Sequence, residues 1–501
     1  MAGLVLPTTM ILLLPLKLVS IIYLVTSACF GFVSIWFGVE TFAAMYLDSK
    51  KVSGDKCEPM NITYILPAYM DNEAAVLEET LKSYCNMVFN GNIRVLVVHN
   101  SKRDMSEIEN KFDSEWNDYV HGNIRFNVIK NHDSTSKAEN VNYGLSLAEE
   151  GTDYIAIMDA DHQPAKDNAS KAMRVIKDKG YDILQGVCTI RNQENFLSTL
   201  VSVEFADMYS VGHQGRLQAF NIGIFGGSNG YWKAEILQEI KMDGSMLTED
   251  IDSSIRATLA GYKIGYSGEV VSSELSPLRE SILQKQRLRW AQGWAQVSSK
   301  YVGDCIVSKN ITLRQKLGLV YLLAWREFFP YVTFWPLMCV AAHLKSRQEL
   351  FFTLLITLSG AIIFSFGICR VAVTYQVSKG PIRSKCCAFV VFAFCNIFYT
   401  VYLNYIQVCA HGRSLMSINA WNPTPRERVK RSVNAPTNES PKSPDPHVHD
   451  VEKGGVEVDD RGVSEFVVGQ VPDREMSCWK DMEVGWMCYN QDEKYTATYD
   501  L

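Results

Sequence analysis

The sequence predicts an α/β domain with a mostly parallel sheet, joined to an α-helical transmembrane region. Three observations carry this. Between Met60 and Gln296, β-branched runs alternate with segments of helical period, the pattern of a parallel sheet covered on both faces. Long apolar stretches stand on either side of that polar middle, where a bilayer-spanning helix needs about 20 such residues. A polar, acidic stretch closes the chain.

With 501 residues there is room for more than one domain. The net charge of −6 is mild, and no basic stripe with interleaved aromatics is present, so nucleic acid is not expected as a partner. Many of the 13 cysteines, Cys29, Cys369 and Cys395 among them, sit in apolar runs, where a thiol behaves as a small hydrophobe. No pair shows Cys-x₂-Cys spacing, which argues against both structural zinc and a disulfide framework. A reducing, cytosol-facing catalytic part follows.

The elements read in order as follows. Asn61 to Pro67 is a buried strand ended by its proline. A helix runs from Glu73 to Cys85, with Ala74, Leu77, Leu81 and Tyr84 on one face. Ile93 to Val98, Ile124 to Ile129 and Tyr154 to Met158 are further strands, with a helix from Ala138 to Glu149 before the last. Ligands of such sheets bind beyond the carboxyl ends of the strands, so Tyr69, His99, Asn100, Asp159 and Asp161 are expected to converge.

Leu4 to Leu47 is apolar apart from Lys17 and Glu40. It is longer than the roughly 7–15 apolar residues of a cleaved signal, and reads as an anchor of one span or two. Lys50, Lys51 and Lys56 place its flank in the cytosol. Ile311 to Glu327 suits a helix on the membrane surface. Phe328–Leu344, Leu350–Tyr375 and Cys386–Ala410 are span candidates, with the basic loop Gln376–Lys385 in the cytosol. Three spans put the ends of this region on opposite faces, so a re-entrant segment, a fourth span near Leu317–Leu323 and an external tail all stay open. From Arg426 onward, scattered prolines and absent periodicity describe a disordered tail, whose Trp479, Trp486, Met487 and Tyr489 are either a docking segment or a floppy end. The expected division is an N-terminal anchor over 1–50, a catalytic domain over 58–300, interfacial helices over 301–327, membrane helices over 328–412 and the tail over 413–501.

Three motifs carry chemistry. Met158-Asp159-Ala160-Asp161 follows a strand, and two carboxylates so placed can share Mg²⁺ or Mn²⁺ or form a solvated turn. In Thr248-Glu249-Asp250, with Asp252 two further on, the acids either meet a helix N-terminus capped by Thr248 or supply a base for a sugar hydroxyl. Gln286-x-x-Arg289-Trp290 shares a helix with Arg287. It offers a phosphate-binding guanidinium and a stacking indole, or a membrane-surface helix with snorkelling arginines. Phe225-Gly226-Gly227-Ser228-Asn229-Gly230 reads as a turn or a close backbone approach to a ligand.

In this order, and ahead of membrane segments, these motifs resemble the inverting family 2 glycosyltransferases, the superfamily of cellulose, chitin and hyaluronan synthases. Leu66-Pro67-Ala68-Tyr69 with Glu73, Lys137-Ala138-Glu139-Asn140-Val141-Asn142, Gln185-Gly186, Arg191-Asn192 and the more distant Trp421-Asn422-Pro423-Thr424-Pro425-Arg426 match as well. The resemblance implies a Rossmann-like GT-A domain facing the cytosol, in a multi-pass protein of the plasma membrane or Golgi. It implies that Asp159 and Asp161 handle the nucleotide-sugar and its metal, Mg²⁺ or Mn²⁺. Lys137 and Arg289 would hold the diphosphate, with Gln286 and Glu249 nearby, and Trp290 the acceptor. Asp250 would deprotonate the acceptor. One departure marks the chain. Many members carry Asp-Asp-Gly/Ser after the second strand, where this chain has His99-Asn100-Ser101, leaving His99, Asn100 or the loop residue Asp104 to meet the base. The implied activity is a β-glycan synthase of cell-wall type, using UDP-glucose or UDP-N-acetylglucosamine and exporting its product through its own channel. A single-sugar transferase acting on a lipid or short glycan, or an inactive partner subunit, are the alternatives. The implied partners are donor, glycan acceptor and bilayer, with a homo-oligomer left open.

Overall fold

A computed structural model of the chain describes residues 13–46, 59–332, 350–378 and 382–416. Its centre is β1 (Met60–Tyr69), where Ile62, Tyr64, Ile65, Leu66 and Ala68 are all buried. Successive side chains of a strand point to opposite faces. Ile62, Tyr64 and Leu66 therefore pack with Leu77, Leu81 and Tyr84 of α2 (Met70–Tyr84), while Ile65 joins Leu96, Val98, Val141 and Trp232 on the other side.

The remaining strands are β2 (Gly91–Asn100), β3 (Val120–His121), β4 (Ile124–Lys130), β5 (Tyr154–Ile157), β6 (Gln163–Pro164), β7 (Ile183–Ile190), β8 (Gly230–Lys233) and β9 (Ile264–Glu274). They form one sheet in the order β3-β4-β2-β1-β5-β8-β7-β9-β6. The long pairings β1–β2, β2–β4 and β7–β9 are parallel, as is β1–β5. The pairings β3–β4, β5–β8, β6–β9 and β7–β8 are short and antiparallel. The sheet is thus mixed, a point that hydrophobic runs cannot show, because strand direction leaves no mark on them.

Pro67 does not end β1. The strand continues to Tyr69 because β5 pairs only with Ile62 through Ile65, so at Pro67 the one neighbour is β2. A residue without an N–H is tolerated where a ladder runs on one side alone.

The helices are α1 (Leu16–Tyr46), α2, α3 (Ser106–Trp116), α4 (Lys137–Ser146), α5 (Asn168–Lys179), α6 (Phe196–Asp207), α7 (Gln214–Phe220), α8 (Ala234–Ile240), α9 (Glu249–Ala260), α10 (Glu280–Val307), α11 (Leu313–Val320), α12 (Arg326–Val332), α13 (Leu350–Val377) and α14 (Lys385–Leu415). Single π-helical turns join α6 to α7 and α11 to α12. The Leu317–Leu323 region is a wall of the catalytic domain. Leu319 and Leu323 are fully buried against Ile222, Ile224 and Ile255. The span candidates Leu350–Tyr375 and Cys386–Ala410 appear as α13 and α14.

Among the described residues, no single helix is long and apolar enough to cross a membrane, but the bent pair Lys385–Asn396 and Phe398–Leu415, meeting at 57°, qualifies. Exposed apolar side chains run along these helices, including Ile35 and Phe42 on α1, Ile362 and Phe366 on α13, and Phe394 and Phe398 on α14. Some membrane association fits such surfaces. The described cysteines are free thiols. The expectations for Lys50, Lys51 and Lys56, for Trp421–Arg426 and for the tail from 417 onward lie outside the described residues.

Ion pairs tie the apolar helices to the catalytic domain. Arg370 of α13 grips Asp207 at the end of α6 through Nε–Oδ1 2.9 Å and Nη2–Oδ2 2.9 Å, and reaches Glu40 of α1 at 3.2 Å. Truncating one member of a buried pair leaves the other charge uncompensated. Arg370→Ala is therefore expected to cost about 3 kcal/mol and lower the Tm of the detergent-solubilised protein clearly. Lys82→Ala, which removes an exposed pair with Glu78, should barely move it. Equal shifts in the two melting curves would contradict this assignment.

Candidate active site

The carboxyl ends of β1, β2 and β5 open onto a cleft of about 240 Å³. Tyr69 ends β1, Asn100 ends β2 and Asp159 follows β5, and all three line it. Lys137, the first residue of α4, enters from one side. A capping box between Ser136 and Glu139 starts that helix and fixes where its first residue lies. Glu249 and Asp250 enter from the first turn of α9, and Gln286, Arg289 and Trp290 from α10.

Lys137 is the hub. Its Nζ donates to Gly227 O at 2.7 Å, pairs with Asp159 Oδ1 at 2.5 Å and lies 3.9 Å from Glu249 Oε1. Burial works against its charge, but Asp159 and Glu249 hold the ammonium protonated well above its ordinary range. Gly227 has φ +89°, and a Cβ there would stand 2.8 Å from Asp250 Oδ2 and 3.4 Å from Lys137 Nζ. Both the backbone angle and the space require glycine, so the Gly226–Gly227 segment is a close approach within the site and not merely a turn.

Burial, reinforced by Glu249, pushes the Asp250 carboxyl up to about 7, against the pull of Lys137 and Arg289. A carboxylate poised near neutrality suits a general base. Thr248 occupies the N-cap position of α9, yet its hydroxyl makes no capping hydrogen bond. Asp252 points away, fully buried, and binds Tyr301 Oη at 2.7 Å, Lys300 Nζ at 3.1 Å and Arg256 Nε at 2.7 Å. The acidic motif thus divides into cleft residues and an anchor.

Helix α10 clamps the Leu247–Thr248 turn. Gln296 Oε1 accepts from Leu247 N–H at 3.1 Å, Arg289 Nη1 donates to Leu247 O at 3.4 Å, and Gly293 leaves no room for a side chain against Thr248. Arg287 stacks 4.3 Å from the Trp290 ring centroid and binds Glu204 Oε2 at 2.7 Å. Gln286 Oε1, Arg289 Nε and Thr248 Oγ1 are buried in this wall without a hydrogen-bond partner. Because these three lie in the wall of the cleft, they are available to a polar ligand there.

Three expected contacts, His99, Asp104 and Asp161, do not line the cleft. His99 is buried beside Glu109, its Nδ1 3.8 Å from Oε1, and burial pulls it down to about 4, so the ring is neutral. Asp104 accepts from Ser106 N–H at 3.0 Å at the start of α3. Asn100 lines the cleft, but its amide donates to Ser134 O and accepts from Asn140 Nδ2, each at 2.9 Å. Asn140 Oδ1 is the buried acceptor left without a partner there. Neither Asn140 nor Glu73, whose carboxylate accepts from Tyr69 N–H at 2.9 Å, was assigned a role from sequence.

Asp159, Asp161 and His162 each bring one donor atom within 4.8 Å of the others. Asp161 is fully buried below the cleft floor, accepting from Leu275 N–H at 3.0 Å, while Arg191 binds its carbonyl at 2.6 Å. Two hard carboxylates fit Mg²⁺ or Mn²⁺, and the cluster can hold a divalent cation. His162, which sequence reasoning passed over, directly follows the Asp-x-Asp.

Residues 63–240 match the model of glycosyl transferase family 2, and residues 154–403 that of glycosyl transferase family group 2. The chain carries a family 2 glycosyltransferase domain. Such domains are inverting and take nucleotide-sugar donors. The domain is similar to glucomannan 4-beta-mannosyltransferase 7 of Arabidopsis thaliana, 29% identical over 276 residues, 54% of this chain and 48% of that protein. It is also similar to the poly-beta-1,6-N-acetyl-D-glucosamine synthase of Staphylococcus aureus, 26% identical over 254 residues, 50% of this chain and 59% of that one. The chain thus matches about half the length of these curated relatives. A solved mannosyltransferase from Pyrobaculum calidifontis, in complex with GDP-Man and Mn²⁺, shares the fold with a TM-score of 0.53 at 18% identity, over 80% of this chain and 99% of that one.

The electrostatics of the glycosyltransferase domain make a stability test. The folded state prefers a protonated Asp250, because its carboxyl rises from the ordinary 3.8 to about 7. Stability therefore falls as pH climbs between those values and stays reduced above them. Asp250→Asn is expected to melt a few degrees above the parent at about pH 8 and alike at about pH 4. Asp252→Asn should melt lower at both. A lower Tm for Asp250→Asn at the higher pH would contradict the burial argument.

Proposed function

We propose that the protein transfers a hexosyl unit from a nucleoside-diphosphate sugar to a glycan hydroxyl, with inversion, on the cytosolic side of a membrane. One observation carries this: a poised carboxyl, Asp250, faces a half-buried cation, Lys137, across a glycine-floored cleft whose α10 wall holds unpartnered polar atoms. Lys137 and Arg289 are the cations for the diphosphate. Asn140 Oδ1, beside Asn100 and Tyr69, is the acceptor offered to the nucleobase. Trp290, held flat under Arg287, is the platform for the acceptor sugar.

The acceptor oxygen attacks the anomeric carbon and gives its proton to Asp250. The bond from that carbon to the diphosphate oxygen breaks, and the diphosphate leaves with the bonding pair toward Lys137 and Arg289. Asp159 and Asp161 would hold Mg²⁺ or Mn²⁺, which when bound offsets the negative charge of the departing group. The same face of the sugar cannot serve both attack and departure, which is the origin of inversion.

The product is a β-linked polysaccharide. Both curated relatives are by name polysaccharide-forming enzymes, and Trp290 sits on a helix packed against α14, beside the helices that would span the bilayer. Export of the product through those helices is the reading this placement supports.

The test is purified protein in detergent with Mn²⁺ or Mg²⁺ and radiolabelled UDP- and GDP-hexoses, with products sized on a carbohydrate gel. Long products are expected, and single-sugar products would replace polymerisation with single transfer. Asp250→Asn is expected to lose roughly 10²–10⁴-fold in rate while still binding nucleoside diphosphate. Undiminished transfer by this variant would remove Asp250 from the mechanism. In the parent, the rate should rise with pH through about 7 and level off above it, because the base must be ionised.

A further inference from the structure

We propose that His162, Cys188 and Glu274 form a second cation site on the deep wall of the cleft, taking one thiophilic divalent ion of the Zn²⁺ class. Their donor atoms lie within 4.8 Å of one another, and all three residues are buried, at 1%, 2% and 9% exposure. All three also line the cleft, so an ion has a route in and keeps a coordination position facing the substrate. Three protein ligands with one open position is the arrangement of reactive zinc sites.

The fold builds this cluster from three separate segments. In the parallel ladder of β7 and β9, Cys188 stands opposite Ser272 and Ile190 opposite Glu274. Residues two apart on a strand share a face, so Cys188, Ser272 and Glu274 project together. The register shift between Gly186 and Val187 sets this alignment, and a slip of one residue would turn Cys188 to the other face. His162 arrives from the turn after β5. Its Nδ1 meets Ser272 Oγ at 3.1 Å, which leaves Nε2 as the ligating nitrogen, 3.6 Å from Glu274 Oε2. A hydroxyl fixing the far nitrogen of an imidazole is a common support for a metal-bound histidine.

The donor set separates this site from the Asp159–Asp161 pair. Carboxylates alone suit Mg²⁺ and Mn²⁺, whereas thiolate with imidazole selects Zn²⁺. A thiolate and a carboxylate together match a dication in charge, and the fourth position would take water or a hydroxyl of a bound sugar. Spacing rules for zinc cannot reveal such a site, because its ligands come from distant strands.

The experiment is a Co²⁺ titration of full-length protein stripped with a chelator, followed by optical absorption, Zn²⁺ competition and elemental analysis. A thiolate-to-cobalt charge-transfer band should grow to saturation at about one equivalent of Co²⁺ and be abolished by Zn²⁺, whether or not the Asp159–Asp161 pair takes up further Co²⁺. Cys188→Ser should lose the band, and Glu274→Gln should keep it with affinity weakened about tenfold or more. Asp161→Asn should leave it intact. No band at saturating Co²⁺, a band surviving Cys188→Ser, or one lost in folded Asp161→Asn would each overturn the proposal. The readout is metal binding, so the outcome is independent of whether sugar transfer is observed.

Discussion

One ammonium group holds the active site together. Lys137 sits among Asp159, Glu249 and Asp250, and without it the carboxylates of one strand end and a helix start would repel one another across a small cleft. Its placement depends on two local features: the capping box that begins α4, and a glycine at 227 whose carbonyl accepts from Nζ. The same cation limits how far burial can raise Asp250. Charge balance therefore rests largely on one side chain, while burial and Glu249 set how far the Asp250 carboxyl rises.

The second organising element is α10. It closes the cleft with Gln286, Arg289 and Trp290, packs along α9, and meets α14 on its outer side. Helices that would lie in a membrane are thus joined directly to the wall proposed to bind substrate. The Arg370–Asp207–Glu40 cluster repeats this connection through α1, α6 and α13. Charged contacts of this kind add little net stability compared with apolar packing, but they penalise misplacement heavily.

Much of this was legible in the sequence. β1, β2, β4 and β5 announce themselves as β-branched runs, and Asp159, Glu249, Asp250, Lys137, Gln286, Arg289 and Trp290 all reach the cleft. Asp252, which the sequence shows only as a carboxylate two residues beyond Asp250, faces another direction on the helix. His99 misled because a strand end projects alternate residues to opposite faces, so Asn100 takes the cleft and His99 the interior. Asn140 and the His162–Cys188–Glu274 cluster were hidden for a different reason. Their meaning lies in contacts between segments far apart in the chain, and periodicity carries no information about those.

Glu204 accepts from Arg287 Nη2 and from Tyr399 Oη, both at 2.7 Å. Three helices, α6, α10 and α14, meet on one carboxylate. Loss of any one donor leaves the acceptor partly bare, and loss of the acceptor strands two donors at once, one of them the guanidinium that steadies Trp290. Sequence drift at positions 204, 287 and 399 is therefore constrained jointly. Among homologues these three should vary as a set, and a chimera that exchanges α14 alone would inherit a mismatched partner beside the Arg287–Trp290 stack.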